Sequence, residues 1–222
     1  LWGINNHRAT SSWAFKGGTS LKKCHFETFR FSEDLDFTLT DKGNFQANFY
    51  IKYSPDHTAT LRDARQGIEF FGDRFKFKVI EKEAGELSVQ GKIHYNGPLR
   101  RTQGVASIKL DLTSDEILVL QTHSQPVHHP YSDAPSEGIS ATCYAFEEVV
   151  AEKIRALAQR ARPRDLYDVV HFYRTKDMID NPNLVYSVLE KKCKRIGSIT
   201  GLFDRKFEYR IRSVACLFDE SV

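Results

Sequence analysis

The strongest pattern in the chain lies in residues 15–37, which read FKGGTSLKKCHFETFRFSEDLDF. A short strand is predicted for residues 12–16, and it ends at the glycine pair Gly17 and Gly18, which favours a tight turn that opens a helix. Residues 34–39, DLDFTL, then alternate polar and apolar side chains, which is the period of a β-strand. We therefore expect a strand, a glycine turn and a second strand that belong to one sheet.

Two aspartates project from the second strand. Side chains two residues apart lie on the same face of a strand, so Asp34 and Asp36 share a face while the apolar residues point towards the core. Asp111 repeats this design in a strand predicted for residues 106–113, where ASIKLDLT also alternates. If the two strands are neighbours, three carboxylates meet, and their repulsion favours a bound Mg²⁺. A solvated strand face is the alternative for the D-x-D pattern taken alone.

The glycine turn predicts a phosphate site beside these carboxylates. Glycine lets the backbone approach a triphosphate closely, and a following helix N-terminus presents unpaired N–H groups and a positive dipole end. Lys16 precedes the turn, and Thr19 and Ser20 follow the glycines. An ordinary strand-to-helix turn explains two glycines alone, but the D-x-D pattern on the next strand favours the phosphate site.

The apolar spacing becomes helical from about residue 146. Helices are predicted for residues 146–161, for a segment that begins at Pro163, and for about residues 183–195. Lys153 lies beside the apolar stripe of the first helix with Arg160 on the same side, so either can contact phosphate or remain a plain surface charge.

The second helix carries two acidic residues, Asp165 and Asp168, three positions apart and on one face. Either one can face an active site. Two alternatives stay open: Asp165 also suits the first turn of a helix, and Asp168 can pair with Arg164 four residues before it.

The order of the predicted strands and helices indicates an α+β fold. The chain has 222 residues, of which 41% are hydrophobic, enough for one core or a core with a small annex. We expect a mixed-sheet α/β core over residues 1–145, with an antiparallel hairpin from residues 75–82 and 86–95 and a helix over 56–71. A mainly helical region over 146–222 is expected to complete the active-site cleft.

Other global features limit the class of protein. A formal net charge of +3 is too small to predict nucleic-acid binding by itself, and no stretch is apolar enough to span a membrane. Four scattered cysteines fit a reducing compartment, so we expect a cytoplasmic protein. The chain begins at Leu1 and its single methionine is Met178, which suggests a domain or a trimmed product.

Three blocks, taken in order, resemble the AbiEii/AbiGii-type nucleotidyltransferase toxins of the DNA polymerase β-like nucleotidyltransferase superfamily. They are the run over residues 15–37, the IKLDLT block that contains Asp111, and YAFEEVVAEKIRALAQRARPRDLYDVV over residues 144–170. The resemblance extends from about Phe15 to Tyr173. It implies a nucleotidyltransferase core followed by a helical C-terminal region.

The resemblance also implies a role for each motif residue. The nucleotide-binding set would be Lys16, Gly17, Gly18, Thr19, Ser20, Arg30, Ser32 and Lys153. The catalytic set would be Asp34, Asp36, Asp111, Lys153, Asp165 and Asp168. Within it, Asp34, Asp36 and Asp111 would hold Mg²⁺, and Lys153 would contact phosphate.

The resemblance implies a Mg²⁺-dependent transfer of a nucleotide from an NTP to an acceptor, with RNA, and first the 3′ end of tRNA, as the expected acceptor. A basic track that includes Arg100, Arg101, Arg160, Arg162 and Arg164 can serve RNA binding. The biology implied is that of a toxin in a toxin–antitoxin or phage-defence system, with a possible cognate antitoxin. Two alternatives are a small-molecule nucleotidyltransferase of the antibiotic-modifying type and a non-catalytic binding module on the same fold.

Overall fold

The computed structural model of the chain describes residues 1–6, 8–41, 68–71, 76–81, 87–97, 99, 105–132, 134–193, 201, 203, 207 and 208. The chain divides into two compact units, one made of residues 1–116 and 122–143 and the other of residues 117–121 and 144–222. The described strands lie in the first unit and the three long helices in the second. The division predicted at residues 145/146 lies close to this one, except that residues 117–121 belong with the helices.

The first unit is built on a mixed sheet that has eight strands within the described residues. The strands are β1 (Trp13–Lys16), β2 (Leu35–Leu39), β3 (Glu69–Phe70), β4 (Lys76–Glu81), β5 (Leu87–Asn96), β6 (Ala106–Thr113), β7 (His123–Pro126) and β8 (Ser140–Cys143). Their order is β3-β5-β6-β2-β1-β8-β7, and β4 also pairs with β5. The β2–β6 and β1–β8 pairs are parallel and the other pairs are antiparallel.

The core of this unit forms on the apolar side of the central strands. Phe15, Phe37 and Leu112 are almost fully buried, on β1, β2 and β6 respectively. The rings of Phe15 and Phe37 pack with their centroids 5.1 Å apart. Full burial of such side chains contributes about 1.5–3 kcal/mol each, which fixes the strand register because a shift of one residue would expose them.

The glycine turn leads into a short helical segment, as predicted. Helix α2 (Gly17–Ser20) directly follows β1 and continues as a π-helical turn over Leu21–His25. The unit also contains helix α1 (Trp2–Asn5) and a 3₁₀ turn over Arg8–Thr10. The cysteines are scattered in the sequence, but the sulfurs of Cys24 and Cys143 lie 3.4 Å apart.

The predicted hairpin is confirmed, whereas the predicted helix over 56–71 is wrong where it can be compared. β4 and β5 pair antiparallel through Lys76↔Lys92 to Glu81↔Leu87, and the turn between them lies outside the described residues. Residues 56–67 of the predicted helix also lie outside them, but Glu69 and Phe70 form β3 against the end of β5. Apolar residues three positions apart suit a helix, yet pairing with β5 gives these residues hydrogen-bond partners that spacing alone does not predict.

The second unit contains helices α3 (Phe146–Arg160), α4 (Pro163–Arg174) and α5 (Pro182–Cys193), with a 3₁₀ turn over Lys176–Met178. All three predicted helices are confirmed. α3 ends at Ala161, which adopts the left-handed conformation with a φ of 44°, and Pro163 opens α4 at a position where its missing N–H costs nothing. Residues 194–195 of the third predicted helix and most of residues 202–217 lie outside the described residues.

A buried charged network explains why residues 117–121 belong with the helices. The Lys192 ammonium donates to the Ile117 carbonyl at 2.7 Å and lies 2.7 Å from the Glu148 carboxylate. The same carboxylate accepts hydrogen bonds from the backbone N–H groups of Val119 and Leu120 at 2.9 and 2.7 Å. Charges removed from water need such partners, so the network ties the segment to α3 and α5.

Within the parts of the chain that the structure describes, no helix has the length and apolar character needed to cross a membrane.

Candidate active site

The parallel pairing of β2 with β6 brings two of the predicted carboxylates together. Asp36 and Asp111, which are 75 positions apart in the sequence, are direct partners across the two strands. Directly paired residues of adjacent strands point to the same face of a sheet, with Cβ atoms about 5 Å apart. The two strands are therefore neighbours, as predicted, although they come from distant parts of the chain.

Asp34 lies one residue before β2 rather than within it. Its carboxylate lies 3.7 Å from the Lys109 ammonium, which is on the strand that carries Asp111. Its side chain is about one-third exposed, with a relative accessibility of 35%. Asp34 is therefore a more solvated carboxylate at the edge of the Asp36–Asp111 pair.

The electrostatics of Asp111 reflect this crowding. Burial raises the pKa of the Asp111 carboxyl above its usual range, and the negative charge of Asp34 raises it further. The charges of Lys109 and Lys16 and a hydrogen bond from Gln90 act in the opposite direction without cancelling the rise. The sheet thus places carboxylates close enough to oppose each other's ionisation.

The two glycines of the turn are required by close approach. Gly17 has a φ of 79°, and a Cβ built there would lie 2.2 Å from Oδ2 of Asp36. A Cβ on Gly18 would lie 2.9 Å from the Ser32 hydroxyl and 3.0 Å from Nη2 of Arg30. The backbone of the turn therefore packs directly on the side chains that follow it in the motif, and any larger residue would displace them.

The residues around the turn have distinct surroundings. The Thr19 hydroxyl donates to the Asp34 backbone oxygen and lies 3.0 Å from the Ser32 hydroxyl, so it positions the segment that leads to Asp34. The Lys16 ammonium donates to the Thr113 hydroxyl at 3.3 Å and lies 3.7 Å from Glu116. Ser20 is fully buried, so its side chain is not accessible to a nucleotide, contrary to the contact expected for it.

The acidic residues of the helical unit are held in ion pairs. Lys153 Nζ lies 2.9 Å from Oδ2 of Asp168, whose side chain is fully buried. Arg160 makes a bidentate pair with Asp165, with distances of 2.7 and 2.8 Å. The interpretation of Asp168 as a partner of Arg164 is therefore replaced by a pair with Lys153, and Arg160 is a partner of Asp165 rather than a plain surface charge.

The pKa of Asp165 shifts opposite to that of Asp111. Burial acts to raise the pKa of the Asp165 carboxyl, but the hydrogen bonds and charge of Arg160 outweigh burial and hold the pKa below its usual range. Lys153 and Arg164 add smaller effects in the same downward direction. Asp165 is therefore a stable anion within its ion pair.

The sheet carboxylates suit a hard divalent cation by their chemistry. Carboxylate oxygens are the ligands that Mg²⁺ prefers, and a bound cation would favour the anion of Asp111, whose pKa is raised by burial and by the charge of Asp34. As the side chains stand, the described residues contain no group of three or more His, Cys, Asp or Glu side chains arranged to hold a metal ion. The residues thus fit the cation in type and charge, and Lys109 is the cation that faces Asp34 in this structure.

A basic surface that the sequence analysis missed lies on the same face. A pocket of about 560 Å³ is lined by Asp34, Asp111 and the lysines Lys76, Lys78, Lys92 and Lys109, among other residues. The alternation of lysines in β4 was a visible signal, but only the strand pairing connects them to Asp111. Of the basic track that was predicted instead, Arg100 and Arg101 lie outside the described residues.

Comparisons with known proteins agree with this architecture. A family model described as nucleotidyl transferase AbiEii toxin, type IV toxin–antitoxin system, matches residues 1–215. Among solved structures, MenT4, a nucleotidyltransferase toxin from Mycobacterium tuberculosis H37Rv, is 25% identical, with the match covering 72% of this chain and 49% of MenT4 at a TM-score of 0.44. The chain therefore spans about half the length of MenT4.

JHP933 from Helicobacter pylori is 18% identical over 97% of this chain and 87% of its own, with a TM-score of 0.50. This similarity concerns the fold. No curated protein matches the sequence.

Proposed function

Because the chain belongs to the AbiEii family of nucleotidyl transferase toxins from type IV toxin–antitoxin systems, we propose that it transfers a nucleotide from a nucleoside triphosphate to an acceptor hydroxyl. The observation that carries this proposal is the direct pairing of Asp36 with Asp111 on parallel strands, with Gly17 packed on Asp36. Such an arrangement places carboxylates beside a backbone that can approach phosphate closely. The pairing thus supports the metal-dependent nucleotide transfer that the sequence resemblance implies.

Three carboxylates are the proposed Mg²⁺ ligands: Asp34, Asp36 and Asp111. Bound by them, Mg²⁺ would neutralise phosphate charge and orient the triphosphate. The glycine turn offers backbone surface to the triphosphate, and Arg30, which lies against Gly18, is a cation beside that surface. Lys153 is the proposed phosphate-binding residue of the helical unit, and Asp168 is the residue that holds it.

The transfer itself exchanges one phosphorus–oxygen bond for another. The acceptor oxygen forms a bond to the α-phosphorus, the bond between the α-phosphorus and the bridging oxygen breaks, and pyrophosphate leaves. The hydroxyl proton passes to the Asp111 carboxylate. The pairing of Asp111 with Asp36 supports this role, because it places the Asp111 carboxylate beside the proposed site of the reaction.

The acceptor in this proposal is RNA, with the 3′ end of tRNA as its first candidate. Modification of a common RNA would account for toxicity, so the chain would act as the toxin of a toxin–antitoxin or phage-defence pair opposed by a cognate antitoxin. Both proposed substrates are cytoplasmic, and we place the activity there.

A direct test is incubation of the protein with each α-³²P-labelled NTP, Mg²⁺ and total RNA, followed by a denaturing gel. We expect one NTP to label a tRNA-sized band, with the signal lost in EDTA and in Asp36→Asn. Label that never enters RNA would contradict the RNA acceptor. Equal labelling by Asp36→Asn would contradict the active site described here.

A further inference from the structure

Strand pairing gathers four lysines on the face that carries Asp111. Lys76 of β4 is paired with Lys92 of β5, which is paired with Lys109 of β6. In the next row, Lys78 is paired with Gln90, and Gln90 with Asp111. Paired residues point to the same face, so both rows lie on one surface, and the same lysines line the 560 Å³ pocket with Asp34 and Asp111. We refer to Lys76, Lys78, Lys92 and Lys109 as the lysine tract.

The lysine tract is unfavourable for folding. Like charges that are direct neighbours across strands destabilise a sheet, and three lysines form one such row. Lysines on an edge strand can protect it from aggregation, which would explain Lys76 and Lys78, because β4 has β5 as its single strand neighbour among the described residues. Lys92 and Lys109 lie on strands with neighbours on both sides, where edge protection has no purpose.

Four lysines on one surface suit a negatively charged ligand, and the position of the lysine tract in the sheet indicates which one. Along the order β4-β5-β6-β2-β1, three of the lysines lie on β4 and β5, the fourth shares β6 with Asp111, Asp36 follows on β2, and the turn at Gly17 comes last, after β1. The tract and the turn therefore lie on opposite sides of the carboxylates. An in-line displacement places the attacking and the leaving oxygens on opposite sides of the phosphorus. With the triphosphate at the turn, the acceptor must approach from the side of the lysines.

We propose that the lysine tract binds the phosphodiester backbone of a single-stranded RNA 3′ end, with the terminal hydroxyl directed towards Asp111. Strands lie about 4.8 Å apart, so the tract extends about 10 Å from β6 to β4, enough for the last few nucleotides of the acceptor. A positive groove that follows the backbone is the usual way in which proteins hold single strands. This inference rests on the proposed function, but RNA binding can be measured without any transfer.

The test is fluorescence anisotropy with a fluorescein-labelled 20-nucleotide single-stranded RNA, in the absence of NTP and Mg²⁺ and at several salt concentrations. The test variant is K76Q/K78Q/K92Q, which leaves Lys109 and its pair with Asp34 intact. The control variant, R174Q/K176Q/K191Q, removes three exposed positive charges from the helical unit. Thermal denaturation verifies that both variants fold.

We expect the test variant to bind RNA at least about tenfold more weakly than the wild type at 0.1 M salt. The slope of log K against log salt should fall by up to about 2, since each lost phosphate contact on a single strand reduces it by about 0.7. The control variant should bind like the wild type, and K76R/K78R/K92R should retain binding because it keeps the charges. Unchanged binding by the test variant, equal weakening by the control, or no RNA binding by the wild type would overturn the proposal.

Steady-state kinetics separate this proposal from the proposed function. If transfer to RNA is detected, the test variant should raise the KM for RNA at least about tenfold and leave the KM for NTP unchanged. A raised KM for NTP instead would assign the lysines to the triphosphate and overturn the proposal. If the wild type binds RNA through the tract but transfers no nucleotide, the proposed function fails and the lysine tract stands as an RNA-binding surface.

Discussion

The carboxylates of the sheet and those of the helical unit contrast sharply, although both were predicted as catalytic. In the helices, Asp165 and Asp168 are fully buried and each lies against one cation at 2.9 Å or less. In the sheet, Asp111 lies beside Asp36 and near Asp34, and burial together with the charge of Asp34 raises its pKa. The same kind of side chain is thus held as an anion by its own cation in one unit, whereas burial and a neighbouring carboxylate oppose the ionisation of Asp111 in the other.

This difference indicates which aspartates are available to bind a metal ion or a proton, and which hold a neighbouring cation in place. An aspartate locked to its own cation is stabilised as an anion and contributes to the position of that cation, as Asp168 does for Lys153. An aspartate whose ionisation is opposed by burial and by a neighbouring carboxylate, as at Asp111, binds a metal ion or a proton more readily. Stability should therefore depend on the helical pairs, and activity on the sheet.

The largest effect on stability is expected for Asp168→Asn. The substitution leaves the Lys153 ammonium, which is 12% exposed, without its buried carboxylate. Loss of one partner from a buried pair typically costs about 3–5 kcal/mol, which corresponds to a fall in Tm of about 6–20 °C for a chain of this size. Thermal denaturation by circular dichroism measures this shift.

The double variant Lys153→Met/Asp168→Leu is the control for this prediction. It removes both charges and should recover most of the lost stability, since no unpaired charge stays buried. If Asp168→Asn were as stable as the wild type, the aspartates of the helical unit would not have the stabilising role that distinguishes them from those of the sheet.

The second-largest effect is expected for Asp111→Asn, and it is a loss of activity rather than of stability. Loss of the proposed base should lower kcat by at least about 100-fold, within the range known for general bases. The Tm should rise, because the substitution removes a negative charge that burial disfavours and that Asp34 repels. Asp111→Asn that keeps full activity, or that destabilises the fold as Asp168→Asn does, would show that Asp111 is a structural residue.

A smaller effect is expected for Gly17→Ala, for which the chain offers a matched control. Gly17 and Gly138 have φ values of 79° and 76°, so alanine costs about 1–2 kcal/mol at either position. Around Gly138 nothing lies within 4 Å of the added Cβ, whereas at Gly17 the Cβ meets Asp36 Oδ2. Transfer assays should find activity lowered at least about tenfold in Gly17→Ala alone, because Asp36 must move. Equal activities of the Gly17→Ala and Gly138→Ala variants would show that the position of Asp36 does not matter for the reaction.

The smallest effect is a difference in the pH dependence of stability. The lowered pKa of Asp165 means that its contribution to stability is present above the unfolded pKa of about 3.9 and is lost as the pH falls below it. The raised pKa of Asp111 means that its contribution is present below about 3.9 and is lost as the pH rises through the folded pKa.

Tm values of Asp165→Asn and Asp111→Asn, each compared with the wild type between pH 7 and pH 4, check this difference. The Tm loss in Asp165→Asn should stay constant over that range. The Tm gain in Asp111→Asn should shrink towards pH 4. A Tm loss that shrinks towards pH 4 in Asp165→Asn, together with a constant Tm gain in Asp111→Asn, would contradict the directions of the two pKa shifts.

The sequence allowed prediction of those features that depend on local periodicity. The alternation in DLDFTL and SIKLDLT was enough to place Asp36 and Asp111 on polar faces of strands, and helical spacing found α3 and α4. Chemical knowledge of the residue types then suggested that the carboxylates belong together. The family match over residues 1–215 confirms the resemblance on which the residue roles were based.

Features that depend on long-range pairing could not be predicted. The partner of Asp168 could be chosen from several nearby cations, and only the packing of α3 against α4 selects Lys153. The lysines of β4 and β5 read as ordinary strand residues until the register connects them to Asp111. The burial of Lys192 against Glu148, near the end of a helix, is a further long-range feature that periodicity does not predict.

The parallel β2–β6 pair also has a consequence for timing during synthesis. A chain that has emerged from the ribosome only as far as residue 105 contains β1, the glycine turn and β2, but it lacks β6, the strand that carries Asp111. Contacts between such distant segments form late, since the intervening chain must first be ordered. Asp36 therefore has no Asp111 beside it until β6 has been translated.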